Sequence, residues 1–212
     1  MYFWIISIAM VLVYAYTIPL ALCVNYFSIA EALCGPMMIN AFVLILMGIS
    51  CLLMRVFIPT SIWNYKQGIF KVDKKQYIFI KNLNISKWKD KVPEMGKTGN
   101  FPKDKVYSFE TNYLYKFLQE TCFAEFLHMF SGVSAFLILP FLSFKSYIYA
   151  LPILVVNLIL HILPCLIQRF VRFKLAHVYE KKLEKEKNIK ENKKWKTKKQ
   201  KKKIFSKKHS EI

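Results

Sequence analysis

The chain has 212 residues, of which 55% are hydrophobic and 16% aromatic, yet its formal net charge is +19. A water-soluble domain of this length rarely combines those traits, whereas a membrane protein with basic segments outside the bilayer does so naturally. Five cysteines (Cys23, Cys34, Cys51, Cys122, Cys165) form no CxxC pair and no zinc-site spacing, so they are expected to be small buried hydrophobes.

Residues 2–24 carry no charge and exceed the roughly 20 apolar residues that a helix needs to cross a bilayer. They lack the basic n-region and small-residue cleavage site of a signal peptide, and Leu22 is too large for the residue before a lipoprotein-type Cys23. The segment is read as a retained anchor. Residues 37–57 form the second expected span, with Arg55 near one end where its guanidinium can snorkel. The stretch 58–121 holds twelve lysines among Trp63, Phe70, Tyr77, Ile78, Phe79, Ile80 and Trp88. It shows no sustained helical periodicity, and residues 95–104 are loop punctuated by glycine and proline. A compact subdomain lying on the inner membrane face is expected. A helix should begin near Thr111 and run into a third span over about 123–143. Pro140 and the SFKS stretch separate it from a fourth span over about 146–168, and the two form a tight hairpin.

The first connection, NYFSIAEALCGP, has no lysine or arginine, while the second and the tail are rich in lysine. The excess of positive charge on inner loops then places both termini in the cytoplasm of a multi-pass cell-membrane protein. Asn84-Ile85-Ser86 would lie on the wrong side for glycosylation. From about Glu180 onward the composition cannot bury a core, and disorder or a frayed helix is expected. Such a tail can tether to anionic lipid headgroups at about 1 kcal/mol per basic residue. No DNA or RNA module accompanies it, so no specific nucleic-acid partner is expected. The fold class is therefore an all-α membrane protein with four transmembrane helices. Two N-terminal helices occupy 1–57, a basic cytoplasmic subdomain 58–121, a transmembrane hairpin 122–175 and a disordered lysine-rich tail 176–212.

Ionisable residues inside such spans are costly and mark function or paired structure. At 100° per residue, His128 and Glu125 fall about 80° and 140° round from Glu120, which places all three on one side of the third helix. Glu125 and His128 are also i, i+3 neighbours. On the fourth helix Asn157, His161, Gln168 and Arg172 lie within an arc of about 60°, with Arg169 some 80° round. Facing stripes of this kind offer a histidine to remove a hydroxyl proton and a carboxylate to orient it. Arginine, glutamine or asparagine can hold an oxyanion or phosphate. The same residues can equally bond across the hairpin and hold it together. Glu-x-x-His is half of a di-iron motif, but its second half is absent and no metal is expected. GxSxG, P-loop, GxGxxG and HxxxxD signatures are absent too.

Four blocks carry a resemblance. NISKWKDKVPEM (84–95), NFPKDK (100–105), ETCFAEFLH (120–128) and HILPCLIQRFVRFKL (161–175) occur in that order. They resemble the motif series of the glycosyl-4,4'-diaponeurosporenoate acyltransferase family, small integral membrane proteins of staphyloxanthin biosynthesis. That family shows a WK(D/H)K block, an ETxxAExxH block entering a membrane helix, and a closing NxxPxxxQRYNRxRL block. The match covers Trp88, Lys89, Lys91, Glu120, Thr121, Glu125, His128, Pro164, Gln168, Arg169 and Arg172. This chain departs from it at His161, where the family has asparagine, and in QRFVRFKL, which lacks the tyrosine hydroxyl, the asparagine and a proline.

The resemblance implies transfer of a fatty acyl group to a sugar hydroxyl on a glycosylated membrane lipid such as a glycosyl carotenoid. It implies His128, Glu125 and Glu120 as catalytic residues, with Glu125 orienting His128. Trp88, Lys89 and Lys91 would hold the donor, Gln168, Arg169 and Arg172 complete the substrate site, and His161 joins them from the polar stripe of the fourth helix rather than from the resemblance. The expected partners are the bilayer, the acceptor lipid and an acyl donor, acyl-CoA or another, with no cofactor beyond it. A non-enzymatic transporter subunit or lipid-binding scaffold is the competing reading.

Overall fold

The computed structural model describes residues 2–24, 26–92, 101 and 105–209, and the side chains of 4–24, 26–92, 101 and 105–199. Pro93, most of the loop 95–104 and most of the NFPKDK block lie outside the described residues. Among the described residues there are no strands, and four helices are long and apolar enough to cross a membrane. This is the make-up of a multi-pass membrane protein.

Helices α1 (Tyr2–Val24) and α2 (Ile29–Phe57) are joined by a short turn. Helix α2 starts well before the expected residue 37, because the Ser28 hydroxyl caps it by accepting from the Glu31 N–H at 3.1 Å. Ser-x-x-Glu is a helix-start signature, and it outweighs the Gly35-Pro36 pair, which sits inside the helix. The outward faces of the spans carry exposed apolar side chains, among them Leu12, Met38, Leu52 and Ile159. Cys23, Cys34 and Cys51 are also exposed, contrary to the expected burial, because they lie on those outer faces. Cys122 is buried.

Helix α3 (Lys74–Asn82) and the single turn α4 (Ile85–Trp88) organise the segment after α2. Asp73 caps α3, its carboxylate accepting from the Gln76 N–H at 2.7 Å, and left-handed Asn84 turns the chain into α4. Tyr77 stacks on Phe170 and Phe173, and Ile80, Ile85 and Phe170 form a buried cluster. The segment is thereby fastened to the last helix.

Helix α5 (Thr111–Ser134) begins where the sequence places it and tightens into a 3-10 stretch, Ala135–Phe141, around Pro140. After a turn, α6 runs from Tyr147 to His209. Tyr147 closes that turn by donating to the Leu139 carbonyl at 3.0 Å. Helices α5 and α6 make the most extensive helix pair of the chain, and α1 is tied to it by the Tyr16 hydroxyl, which donates to the Ile148 carbonyl at 2.8 Å.

Of the two expectations for the lysine-rich segment, disorder or a frayed helix, the described residues take the helical one, continuing α6 without a break through His209. Elongating an existing helix avoids the nucleation cost that an isolated helix bears, and Lys and Glu are good helix formers. Its first turns are also held from outside. Glu180 accepts from Tyr65 at 3.3 Å and pairs with Lys66 at 2.8 Å. Glu186 meets the Thr111 hydroxyl, Lys182 donates to the Phe109 carbonyl, and Tyr115 stacks on Tyr179. Burial, and then the Glu180 carboxylate, push the Tyr65 hydroxyl up to about 12, so it stays a neutral donor.

Among the described residues these contacts end at Glu186, which sets an expected outcome for truncation. Ending the chain after Lys187 should leave the thermal midpoint of the detergent-solubilised protein unchanged. Ending it after Val178 should lower the midpoint by about 3 °C or more, the shift that a kcal/mol produces at this size.

Candidate functional site in the α5–α6 hairpin

Every residue from Phe117 to Glu125 is buried. A helix buried on all sides needs partners around its whole circumference, and here three elements supply them: the end of α2, the loop 59–70 and α6. Two carboxylates sit inside this sleeve, Glu120 at 2% exposure and Glu125 at 0%.

Glu125 faces α6. One of its oxygens accepts from Arg169 Nε at 2.6 Å and the other from Arg172 Nη1 at 2.6 Å. Arg172 is itself 1% exposed. Its Nε donates to the Thr121 hydroxyl at 3.0 Å and its Nη2 to the Thr121 carbonyl at 2.8 Å. Its Nη1 reaches the Phe70 carbonyl at 2.9 Å, while Arg169 Nη2 reaches the Ile69 carbonyl at 2.8 Å. A buried ion pair is tolerable only when such bonds satisfy its remaining donors and acceptors. The loop can present both carbonyls because Gly68 takes a φ of +54°, a conformation that L side chains rarely adopt.

Glu120 turns to the other side of α5. It pairs with Arg55 Nη1 of α2 at 2.9 Å, and the Arg55 guanidinium also lies over the Phe123 ring, 5.1 Å from its centroid. Beside it, Gln119 donates to the Ser61 carbonyl at 2.9 Å.

About one turn beyond Glu125, His128 Nδ1 and His161 Nδ1 lie 3.2 Å apart. His161 is buried and His128 partly so. Gly132 permits this approach, since a Cβ there would come within 3.1 Å of His161 Cβ and 3.3 Å of Leu158 Cδ1. Two facing ring nitrogens at this distance share one proton: one carries the hydrogen and the other offers its lone pair.

The family model described as glycosyl-4,4'-diaponeurosporenoate acyltransferase matches residues 61–181. The chain belongs to this family. No curated protein and no solved structure matches it. The glycosyl-4,4'-diaponeurosporenoate acyltransferase family is one of acyltransferases, in carotenoid biosynthesis. Its matched segment runs from the loop after α2 through the hairpin to the first turns of the basic extension, and so holds every site residue expected from sequence.

Within that acyltransferase segment the expected residues fall into separate groups. His128 and His161 meet, and Glu125 meets Arg169 and Arg172. The pairing expected between Glu125 and His128 is replaced: both carboxylate oxygens go to arginines, and the His128 Nδ1 faces His161. Glu120 leaves the group for α2, because about 140° of helix rotation separates it from Glu125. Trp88 donates to the Leu83 carbonyl at 3.0 Å and packs on the Phe170 cluster. Lys89 pairs with Asp90 at 2.6 Å and Lys91 is exposed. These three lie on the segment between α2 and α5, and none of the bonds described for the Glu125–Arg169–Arg172 cluster involves them. Gln168 is half-buried on α6.

Sequence reasoning passed over Arg55, Gln119 and the carbonyls of Ile69 and Phe70 as parts of this site. Arg55 carried a signal, being the one charge in the expected span 37–57. A backbone carbonyl carries none.

Removing one member of a buried ion cluster leaves the others unpaired. Arg172→Met should lower the unfolding free energy by about 3–5 kcal/mol. Arg172→Lys should recover little of it, since one ammonium cannot meet Thr121, Glu125 and Phe70 together. Denaturation of the solubilised variants checks both outcomes.

Proposed function

We propose that the chain is a membrane-bound acyltransferase that moves a fatty acyl group onto a sugar hydroxyl of a glycosylated membrane lipid, such as a glycosyl carotenoid. The observation that carries this reading is the His128–His161 contact, set within the segment that matches the acyltransferase family. An imidazole held there would serve a lipid-borne hydroxyl approaching along the hairpin. Acyl chains would occupy the bilayer, polar groups would sit at the cytoplasmic surface, and both termini would be cytoplasmic.

In this reading His128 donates its Nδ1 hydrogen to His161, which leaves the lone pair on His128 Nε2. That nitrogen takes the proton from the acceptor hydroxyl as its oxygen attacks the acyl carbonyl carbon. The imidazolium so formed keeps its Nδ1–H on the His161 lone pair. When the tetrahedral intermediate collapses, the bond to the leaving thiol breaks and His128 returns the proton to the sulfur. The products are the ester and the free thiol. His161 thus does the orienting work that sequence reasoning gave to Glu125.

The arginines divide their tasks. Arg172, 1% exposed and bonded on all three nitrogens, reads as structural. Arg169 has a side chain 23% exposed and an Nη1 outside the bonds to Glu125 and Ile69. It is the better candidate to meet an anionic donor group or the oxyanion. Lys91 and Lys89 would gather donor phosphates at the surface.

His128→Ala in a folded, purified protein should lower transfer by about 10²–10⁴-fold, the usual worth of a positioned acid–base group; full turnover would end the acid–base role. His161→Leu should depress kcat with KM little changed. His161→Asn, whose amide oxygen can occupy the Nδ1 position, should restore part of it. Lipid mass spectrometry of a deletion strain should show loss of an acylated glycolipid, and an unchanged profile would point to a scaffold.

A further inference from the structure

The basic extension of α6 is left unexplained by the site. All residues from 187 to 199 are exposed, and they hold seven lysines and one glutamate. The contacts described there are internal to the helix: Thr197 donates to the Lys193 carbonyl, and Lys199 lies over the Trp195 ring. Like charges one turn apart, such as Lys190, Lys194 and Lys198, repel one another. A helix charged in this way is stabilised by an anionic partner.

The geometry narrows the partner. The apolar run of α6 ends near residue 168, so residues 187–199 stand roughly 30 to 45 Å further along a continuous helix at 1.5 Å per residue. Charges are screened over about 8–10 Å at physiological salt, so a helix that holds this course carries these lysines out of reach of its own membrane surface. Nor does the segment have a face on which to lie flat. Its apolar side chains, Ile189 and Trp195, are about 120° apart, and lysines surround the axis, whereas an interfacial helix needs one apolar face. The exposed indole and isoleucine, 60% and 55% exposed, are anchors suited to a protein surface rather than to a phosphate backbone.

We propose that this helix is the docking arm for an acidic, water-soluble carrier protein that brings the acyl group as a thioester. The proposal rests on the acyl-transfer reading: such an enzyme needs a donor delivered to the basic end of the hairpin. Charge complementarity at an exposed arm raises the rate of encounter. The arm would capture the carrier, and the thioester would then reach the hairpin site at its base.

The test uses the full chain in nanodiscs of neutral lipid, with acylated acyl-carrier protein as the probe. Hydrogen exchange at 187–199 should slow when the probe is added, and the effect should weaken as salt rises. The quadruple variant Lys190→Glu, Lys193→Glu, Lys194→Glu, Lys198→Glu should abolish the protection. It should also lower kcat/KM with the carrier-bound donor by about tenfold or more, leaving transfer from an acyl-CoA donor unchanged. Equal loss with both donors overturns the proposal. So does protection that appears only with phosphatidylglycerol vesicles, or only with single-stranded RNA. His128→Ala separates the two ideas, since it should stop transfer from either donor and leave the exchange protection intact. If no donor supports transfer but the carrier still protects the arm, the docking stands and the catalytic reading fails.

Discussion

The structure depends on one buried charge cluster. Glu125 has no exposed surface, and it lies in a helix whose neighbours are mostly apolar. An isolated carboxylate there would be prohibitive. Two arginines from α6 answer it, and they bring a further requirement, because their remaining N–H groups also need acceptors. The Thr121 hydroxyl and carbonyl and the carbonyls of Ile69 and Phe70 supply them. A single carboxylate therefore fixes the register of α5 against α6 and pins a loop across both. Removing the loop would strand donors of both arginines.

The same logic on the opposite side of α5 joins the two halves of the protein. The Arg55–Glu120 pair ties α2 to the hairpin, and Gln119 ties in the loop that follows α2. With ion pairs on two faces, α5 becomes the axis around which the basic end is assembled. The histidine pair lies just beyond, where the packing opens: His128 is half-buried and Met129 is 40% exposed. On the acyl-transfer reading, a rigid collar next to a partly buried pair would hold the rotamer of a positioned base.

Much of the architecture was legible because it follows from solvent. Long uncharged runs must be helical in a bilayer, so the four spans and the hairpin could be read from composition and length. The start of α5 at Thr111 was also visible. The starts of α2 and α3 were encoded in Ser28–Glu31 and Asp73–Gln76, but Gly35-Pro36 and the many lysines obscured those caps. The tail misled because its composition matches a disordered chain, while its attachment to an existing helix does not enter composition at all. At the site, rotation along a helix correctly put Glu125, His128, His161 and Arg172 between α5 and α6. It could not choose partners among them. Arginines at i+4 from Cys165 and at i+4 from Gln168 give no hint that a loop nearly 60 residues upstream of His128 supplies two carbonyls. Glu120 was misgrouped for a related reason: a 140° arc is too wide to be one face once α2 is packed on the other side.

The two clusters have unequal charge, and this bears on the chemistry. Arg55 and Glu120 cancel. Glu125, Arg169 and Arg172 leave one positive charge in surroundings of low polarity, within about 5 Å along α5 of His128, counting 1.5 Å per residue. The Arg172 side chain is 1% exposed and that of Arg169 23% exposed, and the field of charges so sheltered is stronger than in solution. On the acyl-transfer reading, negative charge develops on the acyl oxygen as the hydroxyl attacks, and a preorganised positive centre favours that state over the neutral ground state. Glu125 then has a role that needs no contact with substrate. It offsets one of two buried arginines, so that the second remains as a net charge beside the reacting atoms. On that reading the carboxylate that the sequence placed on the histidine would act instead on the field around it.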